Sequence, residues 1–67
     1  MSRHTYRPIS EAPRDGTPIC GVVGGVEMPV AYDDGPVLQG WFYWDEDEGD
    51  ISFQLARPQP VEWRRMF

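Results

Sequence analysis

The sequence has little from which to build covalent cross-links or a membrane anchor. It contains one cysteine, Cys20, so no disulfide can form within the chain. No stretch approaches the roughly 18 apolar residues of a membrane-spanning helix, and no apolar segment follows the basic residues at the N-terminus, as a secretory leader requires. From these absences we expect a soluble protein of a reducing cytoplasm, with no membrane partner.

Basic residues are missing from the whole middle of the chain. Lysine is absent altogether, and all six arginines lie within 1–14 and 57–67. The 42 residues of 15–56 hold nine carboxylates, so the three segments carry +2, −9 and +2 of the net charge of −5. A field of one sign attracts basic surfaces and repels nucleic acid. We therefore expect a basic protein partner and no direct binding of nucleic acid. We also expect a monomer.

The acidic residues are densest in the loop 45–50, directly after the aromatic run 41–44. Alternate residues of an extended chain place carboxylates about 6.6 Å apart on one side, and duplex DNA presents one charge per about 3.4 Å on each strand. This comparison predicts that the loop imitates a phosphate backbone. The residues predicted to contact the partner are Asp33, Asp34, Tyr43, Trp44, Asp45, Glu46, Asp47, Glu48 and Asp50.

Other interpretations of these residues remain open. A charge run between two strands is also typical of a solvated turn, and the aromatic run is also typical of a strand covered on both faces. A calcium loop fits poorly, because Gly49 is the fifth residue from Asp45 and an EF-hand needs glycine at the sixth. We expect no metal and no cofactor.

Candidates for catalysis are sparse. His4 is the only histidine, and Cys20 has no histidine near it in the sequence. The arginines of either end, which include Arg3, Arg7 and Arg14, form too small a basic patch against eleven acids to predict nucleic-acid binding. We therefore expect that the protein is not an enzyme.

The chain length and its turn residues predict a small, mainly β fold. Sixty-seven residues make one domain, 1–67, in which nine aromatic side chains supply much of the core. We divide it into an irregular arm 1–16, a β core 17–56 that contains the acidic loop, and a proline-containing tail 57–67. The expected architecture is an antiparallel sheet of three to five strands, a meander or a curled SH3-like barrel, with at most one short helix near the N-terminus.

Local patterns place the individual elements. Gly24-Gly25 predicts a hairpin between strands at 17–23 and 26–32, and Pro29 favours an edge position for the second of these strands. The run 37–44 predicts a central strand, 51–56 another strand, and 61–67 a last strand or a docked tail. In the arm, Ser10 is predicted to cap one helical turn.

One segment resembles known proteins. Residues 8–19, Pro-Ile-Ser-Glu-Ala-Pro-Arg-Asp-Gly-Thr-Pro-Ile, resemble the opening Pro-Ile-x-x-Ala-Pro-x-Asp-Gly-Thr-x-Ile of a broad group of short phage and prophage proteins. Members often end near a tryptophan preceded by proline, as Pro60-Val61-Glu62-Trp63 does. The resemblance covers the first third of the chain and, weakly, the tail, and it implies a mobile-element origin.

Size, acidity and this origin together resemble anti-CRISPR proteins of the DNA-mimic type. The resemblance implies a phage-encoded inhibitor in the bacterial cytoplasm that blocks target-DNA binding by occupying a basic groove of the CRISPR effector complex. The alternative is a small structural or accessory module of the phage, which binds other proteins and has no inhibitory activity.

Overall fold

The computed structural model describes residues 5–36 and 38–66, and the backbone only of Phe53. Some sequence predictions lie outside the described residues: those that concern Arg3, His4, Val37, Phe67 and the face of the Phe53 side chain.

The described chain forms one antiparallel sheet, with a short 3-10 helix between its first two strands, which confirms the mainly β prediction. The strands are β1 (Arg7–Pro8), β2 (Ile19–Val23), β3 (Val26–Asp34), β4 (Gln39–Asp45), β5 (Asp50–Leu55) and β6 (Glu62–Arg64), and the 3-10 helix is Ile9–Glu11. Their order in the sheet is β1-β6-β2-β3-β4-β5. The predicted meander is β2 to β5. The sheet has six strands and exceeds the expected three to five, because both termini add a short strand.

The β2–β3 hairpin forms as its sequence predicts. Gly24 and Gly25 have φ angles of 57° and 82°, which glycine adopts without the steric cost that a Cβ would add. Val23 and Val26 are direct partners across the turn. This register puts the alternate apolar side chains of β3, from Val26 to Tyr32, on the same face as Ile19 and Val23.

The predicted edge position of β3 is wrong, because β3 lies between β2 and β4. Pro29 pairs with Cys20 of β2, but pairing with β4 begins only at Val30, opposite Tyr43. Proline lacks the N–H that a ladder uses. Its position at the margin of the β3–β4 ladder allows an interior strand to accommodate it.

Burial of the β4 side chains depends on their position along the strand and not on the face of the sheet that they occupy. Trp41 is on one face and Phe42 on the other, and they are only 4% and 6% exposed. Tyr43 and Trp44, the next residue on each face, are half-buried. The sheet is therefore covered on both faces at the middle of β4 and becomes more open toward the acidic loop at its end.

The segment after β5 packs onto the sheet and is not a free linker. The Gln59 side chain donates from Nε2 to the carbonyl oxygens of Trp41 (3.0 Å) and Ala56 (2.6 Å), and its Oε1 accepts from the Trp41 N–H at 2.8 Å. Pro60 is buried beside Gly21, where a Cβ would lie 2.8 Å from Val30 Cγ2 and 3.1 Å from Pro60 Cβ. This packing carries the chain back to β6, beside β2.

The arm is more ordered than predicted. Arg7 and Pro8 pair with Trp63 and Glu62 of β6, and the indole N–H of Trp63 donates to the Pro8 carbonyl at 3.1 Å. The predicted helical turn is the 3-10 helix, but Ser10 does not cap it, because the helix begins one residue earlier, after Pro8, and has no side-chain cap.

The main apolar cluster lies on the face of the sheet that the arm and the returning tail cover. Its buried members are Ala12, Ile19, Val23, Val30, Trp41, Ala56 and Trp63. The described helical residues offer no segment with the length and apolar character needed to cross a membrane.

Candidate functional site

The loop 45–50, which we call the acidic hairpin, connects β4 to β5. Asp45 and Asp50 are direct partners at the ends of the two strands, and the chain turns through 46–49. The Asp45 carboxylate accepts from the N–H groups of Asp47 (3.0 Å) and Glu48 (3.3 Å), and the Gly49 N–H donates to the Asp45 carbonyl at 2.8 Å. One acid of the hairpin therefore holds the turn in shape.

The other four acids are presented to solvent. Glu46, Asp47, Glu48 and Asp50 are exposed, and Asp45 is half-buried. The described residues form two ion pairs, Arg7–Glu11 and Arg64–Glu27, and neither involves the hairpin. Four exposed carboxylates with no arginine within ion-pair distance in the described part of the chain make a concentrated negative field.

The expected spacing of the acids is wrong. The comparison with a phosphate backbone assumed an extended chain, but 46–49 form a turn. A turn points side chains outward from its tip and does not align them at a regular interval along one side. Any likeness to nucleic acid therefore depends on local charge density and not on a matched repeat.

The two predicted aromatic contacts flank the hairpin on opposite faces of β4. Tyr43 shares a face with Val30, and Trp44 lies on the other face, opposite Ile51 of β5. Beside the hairpin is an open depression of about 420 Å³, lined by both aromatics, by Asp45, Glu46 and Asp47, and by Ser52 and Gln54 of β5. The depression brings an aromatic surface and carboxylates together at one end of the sheet.

The structure does not bring Asp33 and Asp34 to this place. They end β3 and pair with Gly40 and Gln39 at the start of β4, whereas the acidic hairpin follows the end of β4. Six residue steps of about 3.4 Å separate the two ends by roughly 20 Å. Both aspartates are exposed, and their predicted part in partner binding stays a prediction about a second, separate patch.

Glu27 lies at the same end of the sheet as the hairpin, but its carboxylate is engaged within the protein. Its Oε2 accepts from the Tyr6 hydroxyl, and its Oε1 accepts from Arg64 Nη2 at 2.5 Å. The hydrogen bond to Glu27 raises the pKa of Tyr6 and is the main reason that the pKa of Arg64 is raised as well. Glu27 thus links the arm to β3 and β6.

Sequence reasoning missed this cluster, because its members are separated by 21 and 37 positions and no local pattern connects them. Cys20 lies in the same region as the direct partner of Arg64 in the sheet. Burial raises the pKa of the Cys20 thiol, although the charge of Arg64 opposes this shift. These interactions hold strands together and leave the acidic hairpin as the main charged feature that faces solvent.

Among the residues that the structure describes, no group of three or more His, Cys, Asp or Glu side chains is arranged to hold a metal ion. Comparison of the chain with protein-family models, curated proteins and solved structures found no match. The function of this chain is therefore inferred from its own residues and their placement.

Proposed function

We propose that this protein is a phage- or prophage-encoded inhibitor that occupies a basic nucleic-acid-binding groove with its acidic hairpin. In its most concrete form it is an anti-CRISPR protein that blocks target-DNA binding by the effector complex. The observation that carries the proposal is the set of four exposed carboxylates in the acidic hairpin, which has no arginine within ion-pair distance in the described ranges.

The physical basis is competition for the same cationic side chains. Proteins hold nucleic acid largely through lysine and arginine contacts to phosphate, and this attraction weakens steeply as salt is added. A dense group of carboxylates is attracted to such a groove in the same way. Arginine side chains of the groove can also stack on the half-buried rings of Tyr43 and Trp44, which flank the hairpin.

The choice of an anti-CRISPR target rests on the resemblance of 8–19 to short phage proteins. The arm and the Asp15-Gly16 turn formed by this segment lie away from the hairpin and support the sheet. The resemblance therefore favours a setting, the cytoplasm of a phage-infected bacterium, and the hairpin favours a mode of action. Among the basic grooves in that setting, the heteroduplex channel of a CRISPR effector binds its nucleic acid through backbone contacts.

The direct test measures binding of labelled target DNA to a purified effector complex with and without the protein. We expect inhibition that weakens roughly 10- to 100-fold as NaCl rises from about 50 to 200 mM. The variant Asp47→Arg/Glu48→Arg should lose inhibition by a similar factor, since both exposed charges are reversed and Asp45, which holds the turn, is kept.

A matched control is available within the chain. Asp33→Arg/Asp34→Arg makes the same change in net charge at the far end of β4, so it should inhibit nearly as well as the unaltered protein. Equal loss in both variants would indicate that only net charge matters. Full inhibition by the hairpin variant would rule out this use of the hairpin.

Plaquing of a CRISPR-targeted phage on cells that express the protein tests the same proposal in vivo, with an untargeted phage as control. Restored plaquing of only the targeted phage supports an anti-CRISPR activity. If no common CRISPR type is inhibited, the alternative of a phage structural or accessory module is favoured, and the hairpin is then a solvated turn.

A further inference from the structure

A groove lies between β6 and the chain that leads into β2. It is near the β1–β6 edge of the sheet, whereas the acidic hairpin leaves the β4–β5 edge. The volume of the groove is about 600 Å³. Ile19 and Trp63, 2% and 7% exposed, form its apolar base. Pro13 and Pro18 contribute to its walls. Its exposed charged residues are Arg7, Arg65 and Glu11, so the rim carries two positive charges and one negative charge.

The basic rim exists only because the two termini meet. Arg7 of β1 is the direct partner of Trp63 in β6, and Arg64 and Arg65 follow Trp63 in the chain. Arg64 is held by Glu27 at 2.5 Å. Arg7 has a loose contact of 3.9 Å with Glu11, and no carboxylate lies within 4.0 Å of the Arg65 guanidinium in the described part of the molecule.

The acidic hairpin has the complementary chemistry. It combines exposed carboxylates with the half-buried ring of Trp44, which suits an apolar base with an arginine rim. Within one molecule the hairpin does not line the groove, because β2 and β3 lie between β6 and β4 and three strand spacings of about 4.8 Å separate them by roughly 14 Å. A contact between the two must therefore join separate copies.

We propose that the acidic hairpin of one copy occupies the Arg7–Arg65 groove of a second copy, which gives reversible head-to-tail association. Such a contact uses different surfaces on the two partners, so it extends into short chains of molecules and does not close as a twofold dimer. The contact area of one hairpin is well below that of a stable interface, so association is weak and is expected at about 100 µM and above.

Self-association departs from the expected monomer, although two copies that each carry a net charge of −5 repel each other. At physiological salt, charges more than about 8 Å apart are largely screened, so the charges that touch decide the outcome, and these are opposite in sign. The inference does not rest on the proposed function. It does have a consequence for it, since a hairpin seated in a neighbour's groove is not free to bind another partner.

Sedimentation velocity tests the association directly. In about 50 mM NaCl, the mean mass of the unaltered protein should rise as its concentration increases from about 20 µM to 1 mM, and in about 500 mM NaCl it should stay that of one chain. The NMR signal of the Trp63 indole N–H should shift over the same range, because Trp63 lines the groove. A constant monomer mass at 1 mM in low salt would overturn the proposal.

Charge reversal identifies the surfaces. Arg65→Glu alone and Asp47→Arg/Glu48→Arg alone should each remain monomeric. An equimolar mixture should associate again as pairs, because the unaltered hairpin of the first variant fits the unaltered groove of the second. Arg57→Glu and Asp33→Arg/Asp34→Arg carry the same charge changes outside these surfaces and should associate like the unaltered protein.

A melting curve of each variant, followed by circular dichroism, checks folding, and Arg65→Gln replaces Arg65→Glu if the latter is unfolded. Association that survives both reversals, or a mixture that stays monomeric, would show that the hairpin and the groove do not meet.

Discussion

At the scale of single residues, the acids of the hairpin divide into two kinds. Asp45 is half-buried and accepts two N–H hydrogen bonds at 3.0 and 3.3 Å. Asp47 and Glu48 supply those N–H groups from their backbone, and their carboxylates face solvent. Aspartate side chains commonly hold a turn in this way, since they bond to the backbone two residues ahead. Asp45 therefore has a role in the turn that Asp47 and Glu48 lack, whereas the Asp50 carboxylate accepts only from the next residue, the Ile51 N–H, at 2.7 Å.

The difference can be measured by substitution. Asp45→Ala should lower the free energy of unfolding by about 1 kcal/mol, as loss of a capping side chain does at a helix start, and Asp45→Asn should recover most of it. Asp47→Ala is the matched control and should change stability by less than about 0.5 kcal/mol, because an exposed carboxylate is removed. Urea unfolding measures all three, and equal losses for Asp45→Ala and Asp47→Ala would contradict the assignment.

The neighbours of a position in the folded sheet decide whether proline is tolerated there and whether glycine is required. Pro29 is tolerated in an interior strand because the β3–β4 ladder begins one residue later, and Gly21 is needed because Pro60 and Val30 leave no room for a Cβ. The sequence showed both residues but could not show these neighbours, which lie far along the chain.

At the scale of elements, the segment between β5 and β6 is the main departure from the predicted organisation. Two prolines in 57–60 indicate a stiff connection, but its path across the sheet depends on Gln59. That side chain bonds to both backbone groups of Trp41. The residue after β5, Ala56, still donates to the Trp41 carbonyl at 2.9 Å, but the Trp41 N–H bonds to Gln59 Oε1, because the β4–β5 pairing ends at Phe42 and Leu55. Gln59 thus replaces a missing piece of strand.

Removal of this side chain should loosen both β4 and the return to β6. Gln59→Ala leaves the Trp41 N–H without its hydrogen bond in a partly buried place, which costs about 1–3 kcal/mol. For a domain of this size we expect the melting temperature to fall by roughly 4–8 °C for each kcal/mol. Gln54→Ala, at an exposed position of β5, is the control and should melt within about 2 °C of the unaltered protein. An unchanged melting point for Gln59→Ala would refute the role of Gln59.

The elements with clear local signals agreed with their predictions. The Gly24-Gly25 turn and the alternation of apolar side chains along β3 were enough to predict the first hairpin. Both signals depend only on neighbouring residues, because turn chemistry and period-two burial are local properties. The pairing of β1 with β6 had no such signal, since it joins residues more than 50 positions apart.

At the scale of the whole molecule, the sheet places its densest negative charge and a group of positive charges at opposite edges. The acidic hairpin leaves the β4–β5 edge, and Arg7, Arg64 and Arg65 lie together at the β1–β6 edge. The unequal distribution means that like charges crowd at the hairpin, where Asp45 and Asp50 face each other across the two strands. Like charges in direct opposition destabilise a sheet.

Salt should therefore stabilise the fold. As NaCl rises from about 50 to 500 mM, screening reduces repulsion within the hairpin, and the urea midpoint should rise. Asp47→Asn/Glu48→Asn removes two of these charges, so its midpoint should start higher and depend less on salt. The same experiment in choline chloride separates screening from specific ion effects. A midpoint that falls with salt in the unaltered protein would mean that attraction, and not repulsion, dominates its charge interactions.

The sequence by itself determined the fold class, the first hairpin, the strands β2 to β5 near their observed positions and the density of acids in the loop 45–50. Each of these follows from neighbours within a few residues, where turn residues, alternation and charge act directly. Only the tertiary structure decided that the hairpin is a closed turn, that Asp33 and Asp34 lie at the opposite end of β4, and that Glu27 is engaged by Tyr6 and Arg64. The physical reason is that strand order and register set these distances, and pairing between distant segments sets strand order.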